Sequence, residues 1–402
     1  MGESNVADIL VKCLENEGVE YVFGLPGEEN LHVLEALRDS SIQFITTRHE
    51  QGAAFMADVY GRLTGKAGVC LSTLGPGATN LMTGVADANL DGAPLVAITG
   101  QVGTNRMHIE SHQYLDLVAM FAPITKWNAQ IVRPDNTAEV VRKAFKVAQA
   151  EKPGAVHIDL PENIAAMPLE TKPLSRDNRE KTYASTRSLN AAAAAISKAK
   201  NPVILAGNGV IRGCASEALT ELATQLGIPV ANTFMGKGAI PYTHPLSLWT
   251  IGLQQRDLIS CAFDEADLVI AVGYDLIEYS PKKWNPDGDK PIIHIDESRS
   301  EIDSSYIPQA EVCGDITDSL KEIVKRCDRT SQATPSGVSE LRSLIKADYQ
   351  QYANDDGFPI KPQKIIYDLR QVMAPEDVVI CDVGAHKMWM ARHYHSDCPN
   401  TC

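Results

Sequence analysis

Two spacings of apolar residues alternate along this chain. Short runs rich in β-branched residues are followed by longer stretches with apolar positions three and four apart, so strands are expected to alternate with helices. The first such stretch predicts a helix from Val6 to Glu17, closed by Gly18, and the strand EYVFG then leads into the loop GLPGEEN. IQFIT, Ile42 to Thr46, predicts a strand, and the residues after it a helix carrying Gly52, Ala53, Ala57 and Gly61 on closely spaced faces. Small side chains let another backbone come near, which points to a helix buried in an interface. Strand GVCLST, loop LGPGATN, strand PLVAITG and a late strand AVHIDL complete the first block. A second block opens with an alanine-rich helix from Asn190 to Lys200 and continues with strand PVILAG, helix Ala215 to Leu226, and strands DLVIAVG and PIIHID. The third contains helix Gln363 to Val372, strand DVVICDVG and a helix beginning in AHKMWMARHY.

Such alternation builds α/β layers around parallel sheets. Breakers and charges set the boundaries: residues 1–165, a linker at 166–186, a central block at 187–330, a second linker at 331–360 and a last block at 361–402. The second boundary is marked by the polar stretch Asp328 to Gly337 and by DDGFPIK. With 402 residues, 44% of them hydrophobic, two to three domains can each bury a sizeable core. A formal net charge of -14 without a Lys/Arg stripe argues against nucleic acid or an anionic membrane as partner. No apolar run reaches membrane-spanning length, and MGESNVADILVKCLENEG reads as a capped helix rather than a signal peptide. The nine cysteines lack C-x-x-C or zinc spacing, as expected of reduced thiols in a cytoplasmic protein.

The chemistry-bearing candidates follow from this layout. Glu50 stands where an apolar strand gives way to a small-residue helix, either as an acid that serves the helix N-terminus or as a functional carboxylate. LGPGATN offers backbone N–H groups and the Asn80 amide to a polar ligand, or is simply a tight turn. It is not a phosphate-binding Walker loop, since no G-x-x-x-x-G-K-[ST] occurs. In AGNGVIRG, Gly207 and Gly209 follow a strand but Gly213 comes one residue late for the dinucleotide fingerprint, so fold geometry is the expected reading.

The run RHEQGAAFMADVYGRLTGKAGVCLSTLGPGATN, Arg48 to Asn80, resembles the pyrimidine-binding domain of thiamin diphosphate (ThDP) enzymes of the acetolactate synthase type. The resemblance implies that Glu50 donates a hydrogen bond to the pyrimidine ring of ThDP, favouring the imino tautomer whose exocyclic nitrogen removes the thiazolium C2 proton. Glyoxylate carboligases lack this glutamate, so Glu50 argues against that relative. The same resemblance makes Pro26, Gly27, Thr73 and Asn80 cofactor-binding residues alongside Glu50. It places Gln113 of HQYLD near the cofactor and Lys126 of FAPITKWN in the cofactor and substrate region, although a surface lysine is the plainer reading of Lys126. His112 matches the His-Gln of the catabolic branch, where it binds the carboxylate of pyruvate or merely packs.

Further along, VGYDLIEYSPKKWN, Val272 to Asn285, is similar to catabolic acetolactate synthases that work without FAD, with Tyr274, Asp275 and Leu276 where the biosynthetic enzymes carry an Arg-Phe-Asp-Asp type segment. FAD is therefore the less expected cofactor. DVGAHKMW resembles the start of the diphosphate-binding domain, with Val383, Gly384, Ala385 and His386 near the phosphates. The family's Gly-Asp-Gly and later paired asparagine, which bind Mg²⁺, are not found in these residues, so the metal ligands are expected beyond residue 402 and the third domain is expected to be truncated. What the resemblance implies as a whole is a pair of tandem doubly wound parallel-sheet domains of the ThDP-binding fold, plus the beginning of a third. The implied enzyme decarboxylates pyruvate, joins the remainder to a second 2-oxo acid to give 2-acetolactate, and acts as a homo-oligomer with active sites between subunits. Its rivals are another ThDP-dependent 2-oxo-acid decarboxylase or pyruvate oxidase and, in a different class, a nonenzymatic nucleotide-binding or regulatory module.

Overall fold

Asn5 and Asp8 exchange side-chain and backbone hydrogen bonds of 2.9 Å at the start of α1 (Val6–Glu17), and Gly18, at φ +81°, ends it in a conformation that costs glycine little. The computed structural model describes residues 4–176, 181–252, 257–329 and 336–402. Two compact units make up the chain, residues 1–179 and residues 180–402.

In the first unit α1 is followed by β1 (Tyr21–Gly24), α2 (Leu31–Arg38), β2 (Gln43–Thr46), α3 (Glu50–Thr64), β3 (Gly68–Ser72), α4 (Gly75–Asp91) and β4 (Leu95–Gln101). Then come α5 (Leu117–Phe121), β5 (Trp127–Gln130), α6 (Thr137–Gln149), β6 (Ala155–Pro161) and α7 (Glu162–Ala165). All six strands are parallel, in the order β2-β1-β3-β4-β6-β5. Strands β3, β4 and β6 are buried along their whole length, as near-continuous apolar runs should be when helices cover both faces. Val69, Leu71, Val96, Ile98, Val156 and Ile158 share one core with α1 and α6; Cys70, Leu95, Ala97 and Ala155 share the other with α3 and α4.

The small residues of α3 turn out to serve this chain's own packing. A side chain at Gly84 of α4 would begin 2.6 Å from the Ala54 Cβ, while Gly61 and Gly68 lie against the backbone carbonyls of Pro94 and Ala57. Gly52 faces open space. On the opposite face of α3, Phe55, Met56, Val59 and Leu63 are exposed. LGPGATN is likewise helix rather than loop: α4 begins at Gly75, and Pro76 is tolerated in a first turn whose N–H groups have no intrahelical acceptor.

The second unit contains α8 (Thr186–Lys198), β7 (Pro202–Ala206), α9 (Asn208–Arg212), α10 (Ser216–Leu226), β8 (Val230–Asn232), β9 (Ser247–Thr250), α11 (Ser260–Asp264) and β10 (Leu268–Val272). After these come β11 (Ile292–Asp296), β12 (Ala310–Cys313), α12 (Ile316–Arg326), α13 (Ser336–Gln350), α14 (Pro362–Val372) and α15 (Ala385–His393). Its strands are parallel in the order β12-β11-β10-β7-β8-β9, which is 3-2-1-4-5-6 when read from β9 and numbered within the sheet, the dinucleotide-binding topology. Both sheets are thus doubly wound, as the fold class anticipated.

Three expectations change here. DVVICDVG, residues 377–384, is irregular: a strand needs a hydrogen-bonded neighbour, and the backbone of this stretch makes a single bond of that kind, Val379 N–H to Thr401 O at 3.0 Å. Val379 and Cys381 pack partly against Ile366, Met390 and Tyr394, while Ile380 and Val383 stay outside, 86% and 79% exposed. The stretch read as a linker at 331–360 holds α13, and α8 starts at Thr186, four residues before the expected Asn190, because the Ser185 hydroxyl caps the Ser188 N–H at 3.1 Å. Segments of both expected linkers, residues 177–180 and 331–335, lie outside the described residues, as does residue 330. Among the described residues no helix is long and apolar enough to cross a membrane.

Candidate functional site

In the first sheet the chain runs from β1 outward to β2 and then back to β3, so the loops leaving the carboxyl ends of β1 and β3 diverge from each other there. Such a switch point is where open α/β sheets bind ligands. The first of these loops carries Gly27 and Glu29, the second leads through Thr73 into α4, and α3 follows β2.

Glu50 is the first residue of α3 and half-buried, but it does not cap the helix. His49 does, its Nδ1 accepting the Gln51 N–H at 3.1 Å. The Glu50 carboxylate is left for another task, and its Oε2 accepts a hydrogen bond of 3.0 Å from Asn80 Nδ2, two turns into α4. Two glycines keep the space around it open. A side chain at Gly77 would start 2.9 Å from Thr73 Cγ2 and 3.4 Å from Glu50 Oε1, and one at Gly27 would start 2.7 Å from Thr73 Cβ. Gly27 N–H also donates to Asn30 Oδ1 at 2.9 Å, and the Thr73 hydroxyl donates to Glu29 Oε2. Gly27, Glu50, Thr73 and Asn80 therefore converge, with Glu29 and Gly77 as members that the sequence reading did not single out. Glu29 did have a signal, a carboxylate in a Gly/Pro loop directly after a strand.

Gln113 reaches the rim of this group. It sits in the left-handed region at φ +56° against Gly75, where a side chain would meet Gln113 Cβ and O at 2.8 Å, and His112 beside it is exposed. Pro26 points elsewhere, lining a surface groove with Leu34, Phe44 and Thr46. Lys126 is not brought to the site, because it precedes β5 and so lies at the amino ends of these parallel strands. Its Nζ donates to the carbonyls of Ala150 at 2.7 Å and Lys152 at 2.5 Å. Val383, Gly384, Ala385 and His386 belong to the second unit, exposed around the start of α15, with Gly384 at φ +147°.

A buried polar chain lies behind the loop that carries Gln113. Gln101 Oε1 accepts the Val102 N–H at 3.0 Å, and its Nε2 donates to Leu115 O at 3.0 Å. Asp159 Oδ2 accepts from Gln130 Nε2 at 2.7 Å and Oδ1 from the Thr99 hydroxyl at 2.8 Å. With the hydroxyl proton committed to Asp159, His157 Nε2, 2.8 Å from the same oxygen, is the donor. Burial pulls the imidazole down to about 3, so it is neutral, and its Nδ1 has no hydrogen-bond partner among the described residues; the Phe121 ring stacks on it at 4.0 Å. Two polar residues on one face of the apolar strand AVHIDL were the sequence signal for this chain.

Burial raises the Asp159 carboxyl to about 6 against the opposing pull of its Gln130, Thr99 and Gln101 hydrogen bonds. A folded-state pKa above the unfolded value of 3.8 contributes stability that is complete below pH 4 or so and disappears as pH rises through about 6. Relative to the non-titrating Asp159→Asn variant, the wild-type chain is thus expected to lose ~3 kcal/mol of stability between about pH 4 and pH 7. Urea unfolding of both proteins across that range measures the difference. A constant or widening gap in favour of wild type would contradict the burial argument.

The comparisons with known proteins meet this geometry in both units. The N-terminal thiamine pyrophosphate-binding domain of thiamine pyrophosphate enzymes matches residues 4–120, and the central domain of the same enzymes matches residues 189–323. A probable acetolactate synthase large subunit of Methanocaldococcus jannaschii is 37% identical over 412 residues, covering 98% of this chain and 69% of that protein. An acetolactate synthase of Bacillus subtilis is 36% identical, covering 98% and 70%, and a catabolic acetolactate synthase of Raoultella terrigena is 35% identical, covering 97% and 70%. A glutamate held at a switch point, two doubly wound sheets and matches in both of them lead to one conclusion: this chain belongs to the thiamine pyrophosphate enzymes.

Proposed function

We infer that the chain is the large subunit of an acetolactate synthase of the catabolic-like type, which decarboxylates pyruvate and joins the remaining two carbons to a second 2-oxo acid. The observation that carries this reading is Glu50, released from capping by His49, fixed by Asn80 and faced by Gly77 rather than by a side chain. The residues fit the pyrimidine end of ThDP: a flat ring needs the room that Gly27 and Gly77 leave, and a ring nitrogen needs an acid beside it. Bound there, ThDP supplies the acidic thiazolium carbon that adds to the carbonyl of a 2-oxo acid and accepts the electrons of decarboxylation.

Glu50 holds a proton at its carboxylate for the pyrimidine ring, and Asn80 Nδ2 fixes which oxygen remains free. Thr73, tied to Glu29, closes the floor. Gln113 and His112 stand on the loop over α4, where they can orient the carboxylate of a 2-oxo acid and keep water from the reacting carbons. Lys126 has no role in this reading. Mg²⁺ is expected with the diphosphate, and among the described residues no group of three or more His, Cys, Asp or Glu could hold it. The exposed Phe55, Met56, Val59 and Leu63 of α3 support assembly with a second copy.

Product analysis tests the reaction. The protein made from its own gene, supplied with pyruvate, ThDP and Mg²⁺, is expected to yield 2-acetolactate. Acetaldehyde or acetyl phosphate as main product would instead identify a decarboxylase or an oxidase, and unchanged pyruvate a module without this activity.

A further inference from the structure

The second sheet has its own switch point, between β7 and β10, and the glycine turn after β7 reaches it just where a dinucleotide diphosphate would sit in this topology. In such sites the N–H groups of the turn are the ligands for phosphate. Here each is already committed. Gly207 N–H donates to Val272 O at 2.9 Å, Gly209 N–H donates to Gly273 O at 2.8 Å, and Asn208 N–H donates to the Glu278 carboxylate, 3.0 Å from Oε1. Glu278 also accepts the Asp275 N–H at 3.1 Å and the Thr233 hydroxyl, so one carboxylate ties together the loops that follow β7, β8 and β10.

The backbones close the same gap sterically. A side chain at Gly207 would start 2.6 Å from the Tyr274 Cα and 2.8 Å from Glu278 Oε1, and one at Gly209 would start 2.5 Å from the Gly273 Cα. Arg212 of α9 and Asp275 form an ion pair of 3.2 Å across these loops, with both side chains mostly buried. The glycines of AGNGVIRG thus permit loop-to-loop packing. They do not leave a cradle.

We propose that Glu278 is a built-in side chain filling the place where a dinucleotide diphosphate would bind, and that by bonding the turn N–H groups itself it makes the central unit refuse flavin and nicotinamide dinucleotides. The residues do not fit FAD: its diphosphate would have to displace a carboxylate held by two N–H groups and a hydroxyl, and push apart a pair of backbones in van der Waals contact. This goes beyond the carboligase reading and does not depend on it, since it concerns the second unit alone.

The full chain and its Glu278→Ala and Glu278→Gln variants test the assignment by calorimetric titration with FAD and ADP and by thermal unfolding with and without acetate. Wild type is expected to bind neither nucleotide saturably up to about 1 mM, weaker than any functional dinucleotide site. Glu278→Ala should melt below wild type, and acetate should raise its midpoint, and not that of wild type, by refilling the vacated oxygen positions. If the alanine variant does not fold, Glu278→Gln still decides: it keeps an oxygen for the Asn208 and Asp275 N–H groups and should remain folded and closed to both nucleotides. Saturable FAD binding by wild type, or a Glu278→Ala protein as stable as wild type and indifferent to acetate, would overturn the proposal.

Discussion

Replacing Glu50 by glutamine is expected to slow deprotonation of the C2 carbon of bound ThDP by at least about a hundredfold, the scale on which a positioned acid–base group acts. Glutamine preserves the shape of the side chain and can still accept from Asn80, but it cannot hold an acidic proton for the pyrimidine ring. The fold should barely respond. Helix α3 is capped by His49, so the substitution removes only the favourable placement of a negative charge in its first turn, worth about 0.3–1 kcal/mol. That separation is what makes the experiment decisive, because the exchange rate falls while the unfolding midpoint stays near that of wild type. Hydrogen–deuterium exchange at C2, followed on the protein made from its own gene, reads the first quantity and calorimetry the second. An unchanged exchange rate would leave Glu50 as no more than a helix-end acid.

Glu50 could be found from sequence because its signals are local: a strand, a turn and a helix in succession. Gly27, Thr73 and Asn80 entered as cofactor residues through the family resemblance, Gly27 and Thr73 lying in the loops after β1 and β3 and Asn80 in α4. Glu29 had only its place in a Gly/Pro loop as a signal, and it joins them through pairing of β1 with β3, which brings it to Thr73 across more than forty residues. Asp159 and His157 lie in the strand AVHIDL, but their network needs β4, β5 and β6 aligned in register.

Strand direction matters elsewhere too. Lys126 lies before β5, at the amino ends of the strands and away from this group. DVVICDVG has the apolar density of a strand, but density does not supply a hydrogen-bonded neighbour. Alanine and glycine along α3 signalled close approach correctly, though not with what: the near backbones are those of β3 and α4, and the larger apolar residues face outward. In the second unit the glycine turn after β7 was legible as a departure from the dinucleotide fingerprint, whereas Glu278, seventy residues away, was not.

The largest effect on the fold itself is expected from Gly68→Ala. The added methyl would begin 2.7 Å from the Ala57 carbonyl carbon and 2.9 Å from its Cα, closer still to the carbonyl oxygen, and all three are backbone atoms of a buried helix that cannot rotate aside. Helix α3 must lift from β3 or the strand must bend, at a cost of about 3 kcal/mol, the upper end of the usual range for overpacking. For a unit of this size, residues 1–179, that corresponds to a midpoint of its unfolding roughly 6–12 °C lower. Trimming the facing side chain should not help, so the double variant Ala57→Gly with Gly68→Ala is expected to melt no higher than the single one. Catalysis should suffer as well, because α3 is the lever that carries Glu50 two turns from the clash, and a displacement of about 1 Å at a reacting group costs on the order of a hundredfold. Thermal unfolding and C2 exchange on the two variants measure both effects. A Gly68→Ala protein with wild-type stability would mean that α3 does not rest on the sheet as closely as this packing requires, and one that melts lower while exchanging C2 at the wild-type rate would mean that the helix yields without moving Glu50.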